Sequence, residues 1–205
     1  GRAVGVHRRG APLVFIIYHY TNQTLFFRKS QKSIYIGSRL SYNVTVPINR
    51  GKCYHLTISE LKSYSDTIKN IHFVGIGGVS MSALAEIMHL KGYTVTGSDM
   101  NRSGMVEHLQ RAGIRISVGH AAEHVSGADL VVYTAAISKD NPELLEAKRL
   151  GIPTVERAVF LGFIMTHYKM PVGISGTHGK TTTTSLLSIV CMEAGLDPTV
   201  LVGGT

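Results

Sequence analysis

The sequence predicts an α/β protein: an open, Rossmann-like parallel-sheet domain followed by the truncated start of a P-loop α/β domain. Three observations predict it. Short apolar runs alternate with segments of helical period between Ile71 and Thr166, the pattern of a parallel sheet covered on both faces. Gly75-Ile76-Gly77-Gly78 separates the first apolar run from the first helical one. Gly176-Thr177-His178-Gly179-Lys180-Thr181-Thr182 repeats that strand–glycine loop–helix order about 100 residues later.

Each element has its own signal. Residues 71–74 (Ile-His-Phe-Val) form a short buried-strand pattern. Residues 79–90 carry Val79, Ala83, Leu84, Ile87, Met88 and Leu90 at near-helical spacing, and Gly92 ends them as a C-cap. Residues 93–97 are a second strand, ending at Ser98-Asp99; 104–111 are a helix closed by Ala112-Gly113. Short strands follow at 115–118 and 129–133. Asn141-Pro142-Glu143 opens a helix to Leu150, with Pro in the first turn and Gly151 after the end. A strand at 152–155 and a helix at 156–166 close the domain, and crossovers between its strands are expected to be right-handed. Residues 170–175 read as the strand feeding the second glycine loop, 183–194 as the helix after it, and 198–202 as a last strand. This second unit is expected to expose the helix face that further sheet would cover.

The net charge of +8 is local. Residues 1–70 hold eleven of the 21 Lys and Arg but two of the 13 Asp and Glu. The remaining chain is near neutral, without a global basic face. Residues 1–55 contain nine basic residues and no acid, β-prone patches at 13–18, 33–36 and 42–46, and no clear helical period. The first methionine is Met81. This stretch is expected to be an extension without a fold of its own, leaving domains at 56–169 and 170–205. Its Phe26-Phe27-Arg28-Lys29 interleaving matches no nucleic-acid module, and no nucleic-acid partner is expected. The apolar run 13–18 is far below the ~20 residues that cross a bilayer, so no membrane span is expected. Cys53 and Cys191 are far apart and lack metal-site spacing, which suits a reducing, cytoplasmic location; Cys191 reads as a small core residue. Nothing in the sequence sets an oligomeric state.

The two glycine loops carry the chemistry. In the first, glycines let the backbone turn tightly and approach a diphosphate, and the following helix adds free N–H groups and a favourable dipole. Asp99 lies 24 residues after Gly75, at a strand end where a carboxylate can accept from a ribose. Ser80 replaces the third glycine of G-x-G-x-x-G. Spacing alone leaves three readings open: a tight turn without ligand, a nicotinamide or flavin site, or a site for another nucleoside diphosphate.

The second loop departs from the strict Walker pattern, since Ile174 stands six residues before Lys180, but Gly-Thr-x-Gly-Lys-Thr is intact. Backbone N–H groups from Gly176 to Thr181 can wrap a β-phosphate, Lys180 supplies charge for the β/γ oxygens, and the Thr181 hydroxyl is the candidate Mg²⁺ ligand. His178 reads either as a solvated loop residue or as a neighbour of the phosphates.

In combination these features resemble the Mur ligase family. The resemblance rests on residues 71–82 (Ile-His-Phe-Val-Gly-Ile-Gly-Gly-Val-Ser-Met-Ser), Gly97-Ser98-Asp99, Ala135-Ala136-Ile137 with Asn141-Pro142-Glu143, Gly151-Ile152-Pro153, Arg157, and residues 176–182. It covers roughly residues 60–205 and points to the alanine-adding branch, with the branch that recycles a murein tripeptide as the near alternative. It implies a UDP-N-acetylmuramate site made by Gly75, Gly77, Gly78, Val79, Ser80, Met81 and Ser82 on the diphosphate. Asp99, Thr134, Ala135, Ala136 and Ile137 would lie near the uridine or sugar. It implies an ATP and Mg²⁺ site made by Gly176, Thr177, His178, Gly179, Lys180, Thr181 and Thr182. The implied reaction is ATP-dependent joining of L-alanine to the lactyl carboxylate through an acyl phosphate, in peptidoglycan precursor synthesis. Phosphate makes the carboxylate a usable electrophile, and Lys180 with Mg²⁺ offsets charge in that transfer. The remaining catalytic groups are expected beyond Thr205, and this chain is expected to be inactive as a ligase alone. The rival from another enzyme class is a nicotinamide-dependent oxidoreductase built on the first domain, which has no need of a second phosphate loop.

Overall fold

The computed structural model describes residues 14–18 and 56–202; the rest of the basic extension, Cys53 and the last three residues lie outside the described residues. The first described element, β1 (Val14–Tyr18), belongs with the C-terminal elements rather than with those that follow it in sequence. Two units divide between Ile164 and Met165.

The larger unit begins with α1 (Ile58–Tyr64). This helix is too short to show a helical period in the sequence, but Thr57 and Glu60 form a complete capping box at its start. Leu61 is its buried anchor. Then follow β2 (Asn70–Val74), α2 (Val79–Leu90), β3 (Thr94–Asp99), α3 (Gly104–Arg111) and β4 (Arg115–Val118). A 3-10 turn (Ala122–Val125), β5 (Leu130–Tyr133), α4 (Pro142–Leu150), β6 (Thr154–Glu156) and α5 (Arg157–Met165) complete it.

The five strands are all parallel, in the order β4-β3-β2-β5-β6. From β2 the chain builds outward on one side through β3 and β4, then returns to start the other side with β5. This is the doubly wound order, and its ligand crevice lies outside the carboxyl ends of the strands where the order reverses. Here that point is between β2 and β5. Ile71, Phe73 and Val74 of β2 and Leu130, Val131 and Val132 of β5 are buried, as central strands covered on both faces require. Phe160 of α5 packs edge-on to Phe73, ring centroids 5.7 Å apart. α2 buries Met81, Leu84, Ala85 and Met88, one face of a helix. α4 is set at both ends: the Asn141 side chain accepts from the Glu143 and Leu144 N–H groups, and Gly151 closes it in the left-handed conformation.

The smaller unit contains β7 (Met170–Ile174), α6 (Lys180–Glu193) and β8 (Pro198–Leu201). Its sheet order is β7-β1-β8, all parallel. The β-prone patch near residues 13–18 is thus a strand lying between the two that α6 connects. The preceding residues 165–169, expected in the larger unit, go with this one: Tyr168 is buried and hydrogen-bonded to Thr199 of β8. α6 covers Lys180, Thr184, Ser188 and Cys191. It exposes Leu186, Ile189, Val190 and Met192, each more than half accessible. The exposed apolar helix face expected from the sequence is present, and Cys191 is a buried free thiol.

Candidate nucleotide sites at the two glycine loops

The first loop leaves β2 at Val74 and enters the crevice. β5 ends beside it, with Val74 paired to Tyr133. The two exit loops therefore meet: a Cβ on Gly75 would lie 3.3 Å from Thr134 Cγ2 and 3.5 Å from Ile137 Cδ1. Ala135 and Ala136 are exposed on the same exit loop. The sequence-predicted residues at 75–78 and 134–137, some 60 positions apart, form one place.

The loop's own N–H groups are mostly taken by the protein. Gly75 and Ile76 both donate to the Ser98 carbonyl, at 2.8 and 3.0 Å. Gly77 donates to Asp99 Oδ2 at 2.8 Å, and Gly78 to the Gly75 carbonyl at 3.3 Å. The first α-helical bond runs from Ser82 N–H to the Gly78 carbonyl. Gly78, the N-cap of α2, offers no side-chain cap. The N–H groups of Val79, Ser80 and Met81 are therefore the helix's open donors. An uncapped helix start of this kind is suited to an anion, because dipole and donors act together there. Gly78 and Val79 are exposed and Ser80 is half-buried. Met81 and Ser82 are 2% exposed, so only their backbone belongs to the site; Ser82 Oγ donates to the Val79 carbonyl.

The glycines serve different ends. Gly75 has φ +80 and needs to be glycine for its backbone. A Cβ on Gly77 would come within 2.8 Å of Asp99 Oδ2 and 2.9 Å of Val106 Cγ2, so this glycine makes room for the protein. Gly97 does likewise from β3, where a Cβ would lie 2.5 Å from Ile76 Cδ1 and 2.8 Å from the Phe73 carbonyl oxygen. Gly78 is the exception. Its φ is −67 and a Cβ would meet nothing nearer than the Gly75 oxygen at 3.6 Å. The fold tolerates a side chain there; a ligand seated on α2 would not.

Asp99, expected at a ribose, uses one oxygen on Gly77 N–H and the other on Asn101 N–H at 3.0 Å. It braces the loop from β3.

Behind this loop lies a buried polar cluster that sequence reading did not single out. Glu143, at the start of α4, is 0% exposed. Its Oε2 accepts from Ser98 Oγ at 2.6 Å and lies 3.0 Å from His120 Nδ1. Its Oε1 lies 2.8 Å from His124 Nδ1 and 3.7 Å from His72 Nε2. The short His124 contact requires Nδ1 to carry the proton, which leaves the longer 3.3 Å approach of Ala121 N–H unmade. His72 is fixed on its other side, Nδ1 lying 2.8 Å from Thr96 Oγ1. Burial pushes the Glu143 carboxyl up, but His72, Ser98 and His124 outweigh it and hold the group at about 2.

In the second loop, Gly179 takes φ +75 and caps α6 without a side-chain bond. The Lys180 ammonium is folded back on the Gly176 and Thr177 carbonyls. Thr183 N–H makes the first bond back to Gly179. The helix itself leaves the first-turn N–H groups of Thr181 and Thr182 without an intrahelical acceptor. Thr177, His178, Thr181 and Thr182 are exposed, while Lys180 is buried.

A family model described as "Mur ligase family, catalytic domain" matches residues 70–169. The UDP-N-acetylmuramate–L-alanine ligase of Caldanaerobacter subterraneus subsp. tengcongensis is 57% identical over 139 residues, covering 68% of this chain and 30% of that protein. The ligase of the same name from Acetivibrio thermocellus is 55% identical over 136 residues, covering 66% and 29%. This chain belongs to the Mur ligase family. Among solved structures, the UDP-N-acetylmuramate-alanine ligase MurC of Thermotoga maritima aligns with a TM-score of 0.62 at 37% identity, over 66% of this chain and 32% of that one. A UDP-N-acetylmuramate:L-alanyl-gamma-D-glutamyl-meso-diaminopimelate ligase from Neisseria meningitides has the same TM-score at 34% identity, over 67% and 44%. This Mur ligase chain spans about 30% of the length of the curated relatives it matches.

Within this Mur ligase chain, Gly75 of the first loop lies beside Thr134 and Ile137 of the β5 exit loop. Residues 176–182 lie in the smaller unit, around the start of α6. What sequence reading missed is the support: Ser98 as anchor of the loop, and Glu143 with three histidines behind it. Their signal was present as Asn141-Pro142-Glu143 and the His-rich 120–124 stretch, but neither has the spacing of a known catalytic or metal motif.

Proposed function

We propose that this chain supplies the two nucleotide-binding parts of an ATP-dependent ligase that joins L-alanine to the lactyl carboxylate of UDP-N-acetylmuramate. One observation carries the first part. At the sheet's reversal point, the uncapped start of α2 coincides with Gly78, the glycine whose missing side chain the protein itself does not need. An anion with bulk beyond it, such as a sugar nucleotide diphosphate, explains both. The Val79, Ser80 and Met81 N–H groups are the donors, and Ala135, Ala136 and Asp99 flank the uridine or sugar.

The second loop fits ATP and Mg²⁺ on its own geometry. The start of α6 is uncapped, the Lys180 ammonium already rests among loop carbonyls, and Thr181 presents an exposed hydroxyl. Lys180 would turn from those carbonyls to phosphate oxygens, and Thr181 would hold the metal. Bound ATP supplies the phosphoryl group that activates a carboxylate; the residues here bind and orient it. The identities of 55–57% to alanine ligases support the alanine-adding reading; among solved structures the alanine ligase at 37% and the tripeptide ligase at 34% stand close together.

Differential melting of the purified chain tests the reading. A ligand that binds only the folded state raises its melting temperature, by an amount that grows with the logarithm of ligand concentration over Kd. UDP-N-acetylmuramate is expected to raise it and NAD⁺ to leave it unchanged. Greater stabilisation by NAD⁺ would transfer the larger unit to the oxidoreductase reading.

A further inference from the structure

Glu143 touches no solvent, yet it joins several of the segments around the first loop. Through Ser98 Oγ it grips the end of β3. The Ser98 carbonyl holds the Gly75 and Ile76 N–H groups, and the next residue, Asp99, holds Gly77. Through His120 and His124 it grips the loop and 3-10 turn after β4. Through its own backbone, clamped by Asn141 Oδ1 at 2.9 Å, it starts α4 and ends the exit loop of β5. His72 brings the middle of β2 to the same carboxylate.

A buried carboxylate is expensive unless donors satisfy it. Hydrogen-bonded networks of this kind fix one arrangement of the segments they join; here Ser98, His120 and His124 reach the carboxylate, while His72 Nε2 stays 3.7 Å away, outside hydrogen-bond reach. The arrangement fixed here is the one that turns the open N–H groups of α2 toward the crevice.

We propose that Glu143 is a positioning residue for the diphosphate seat: its ionised carboxylate, acting through Ser98, His120 and His124, holds the 75–78 loop in its binding conformation. The proposal rests on the reading of the first turn of α2 as that seat, and its test separates the two.

Glu143→Gln keeps size and shape but replaces an acceptor with a donor facing Ser98 or histidine N–H groups. Two readouts follow from it. Amide hydrogen exchange at Gly75, Ile76 and Gly77 is expected to quicken about tenfold, the size of one lost charge-assisted hydrogen bond. Amides of β5 keep their protection. Titration calorimetry with UDP-N-acetylmuramate is expected to show a Kd weakened about tenfold. Ser98→Ala, which cuts the same link from the other side, reproduces the exchange effect. A core control, Ile152→Ala beside α4, lowers stability and leaves both readouts alone.

A folded Glu143→Gln with unchanged protection at 75–77 overturns the proposal, as does equal loosening in the Ile152 control. Should Glu143→Gln not fold, Ser98→Ala decides by the same criterion. Should wild-type chain not bind UDP-N-acetylmuramate, the ligand reading falls, and the exchange data alone decide the positioning role.

Discussion

The two glycine loops share a plan and differ in how they are held. Both follow a parallel strand, and both open a helix with no side-chain cap. The 75–78 loop, however, is bound into its unit: three of its N–H groups go to β3, and β3 is locked to a buried carboxylate. The 176–179 loop is closed by Lys180, the group that on the proposed reading would leave it to meet a phosphate. One loop is pre-formed against its own protein, the other against its own lysine. A glycine pattern therefore marks a candidate phosphate site but says little about which donors would remain for a ligand.

The sharpest break in this comparison is at Gly97. Gly97→Ala forces a Cβ against Ile76 and the Phe73 carbonyl, behind the first loop. Overpacking of this kind costs about 1–3 kcal/mol, and a thermal melt should fall by several degrees. An unchanged melt would mean the loop has slack that its hydrogen bonds do not suggest.

At the second loop, Lys180→Ala is expected to weaken ATP binding by about 10- to 100-fold, the range for charge-assisted bonds. Binding of UDP-N-acetylmuramate should not change. Equal losses for both ligands, measured by calorimetry, would contradict separate sites.

Gly78→Val separates ligand from fold. The backbone there suits a β-branched residue and the space is open, so the melt should stay close to wild type. Affinity for UDP-N-acetylmuramate should fall at least about tenfold through steric blockage of the diphosphate. A folded variant with full affinity would displace the ligand from this helix end.

The gentlest test uses acid. Glu143 titrates near 2 in the folded chain, below its ordinary 4.5. A carboxyl depressed on folding contributes stability that is present above 4.5 and lost as pH falls toward 2. Wild-type chain should lose denaturant stability across that window more steeply than Glu143→Gln. Parallel curves would mean that the carboxylate is not held by its neighbours.

The sheet was legible because its strands are buried on both faces and read as short apolar runs between glycines. Helices α2, α3, α4 and α5 were legible from period and caps. α1 was not, because seven residues with one buried leucine give too little period, and its capping box was the only signal. The strand Val14–Tyr18 reads as a β-prone patch, but pairing with β7 and β8 depends on residues more than 150 positions away. The start of α6 was placed at residue 183, whereas the helix begins at Lys180, because the phosphate-loop residues themselves make its first turn. In the site, motif spacing found Gly75, Gly77 and Gly78 but could not tell them apart. Only the distances from Gly77 to Asp99 and Val106 show that one makes room for protein while Gly78 does not. Glu143 was invisible as a functional residue because its partners come from four separate segments.

The most direct measurement of the central claim is a backbone amide titration of ¹⁵N-labelled chain with UDP-N-acetylmuramate. The account predicts the largest shifts at Val79, Ser80 and Met81, smaller ones at Gly75 to Gly77, and none at residues 176–182. Shifts confined to 176–182, or to Gly75–Gly77 with α2 unmoved, would contradict it.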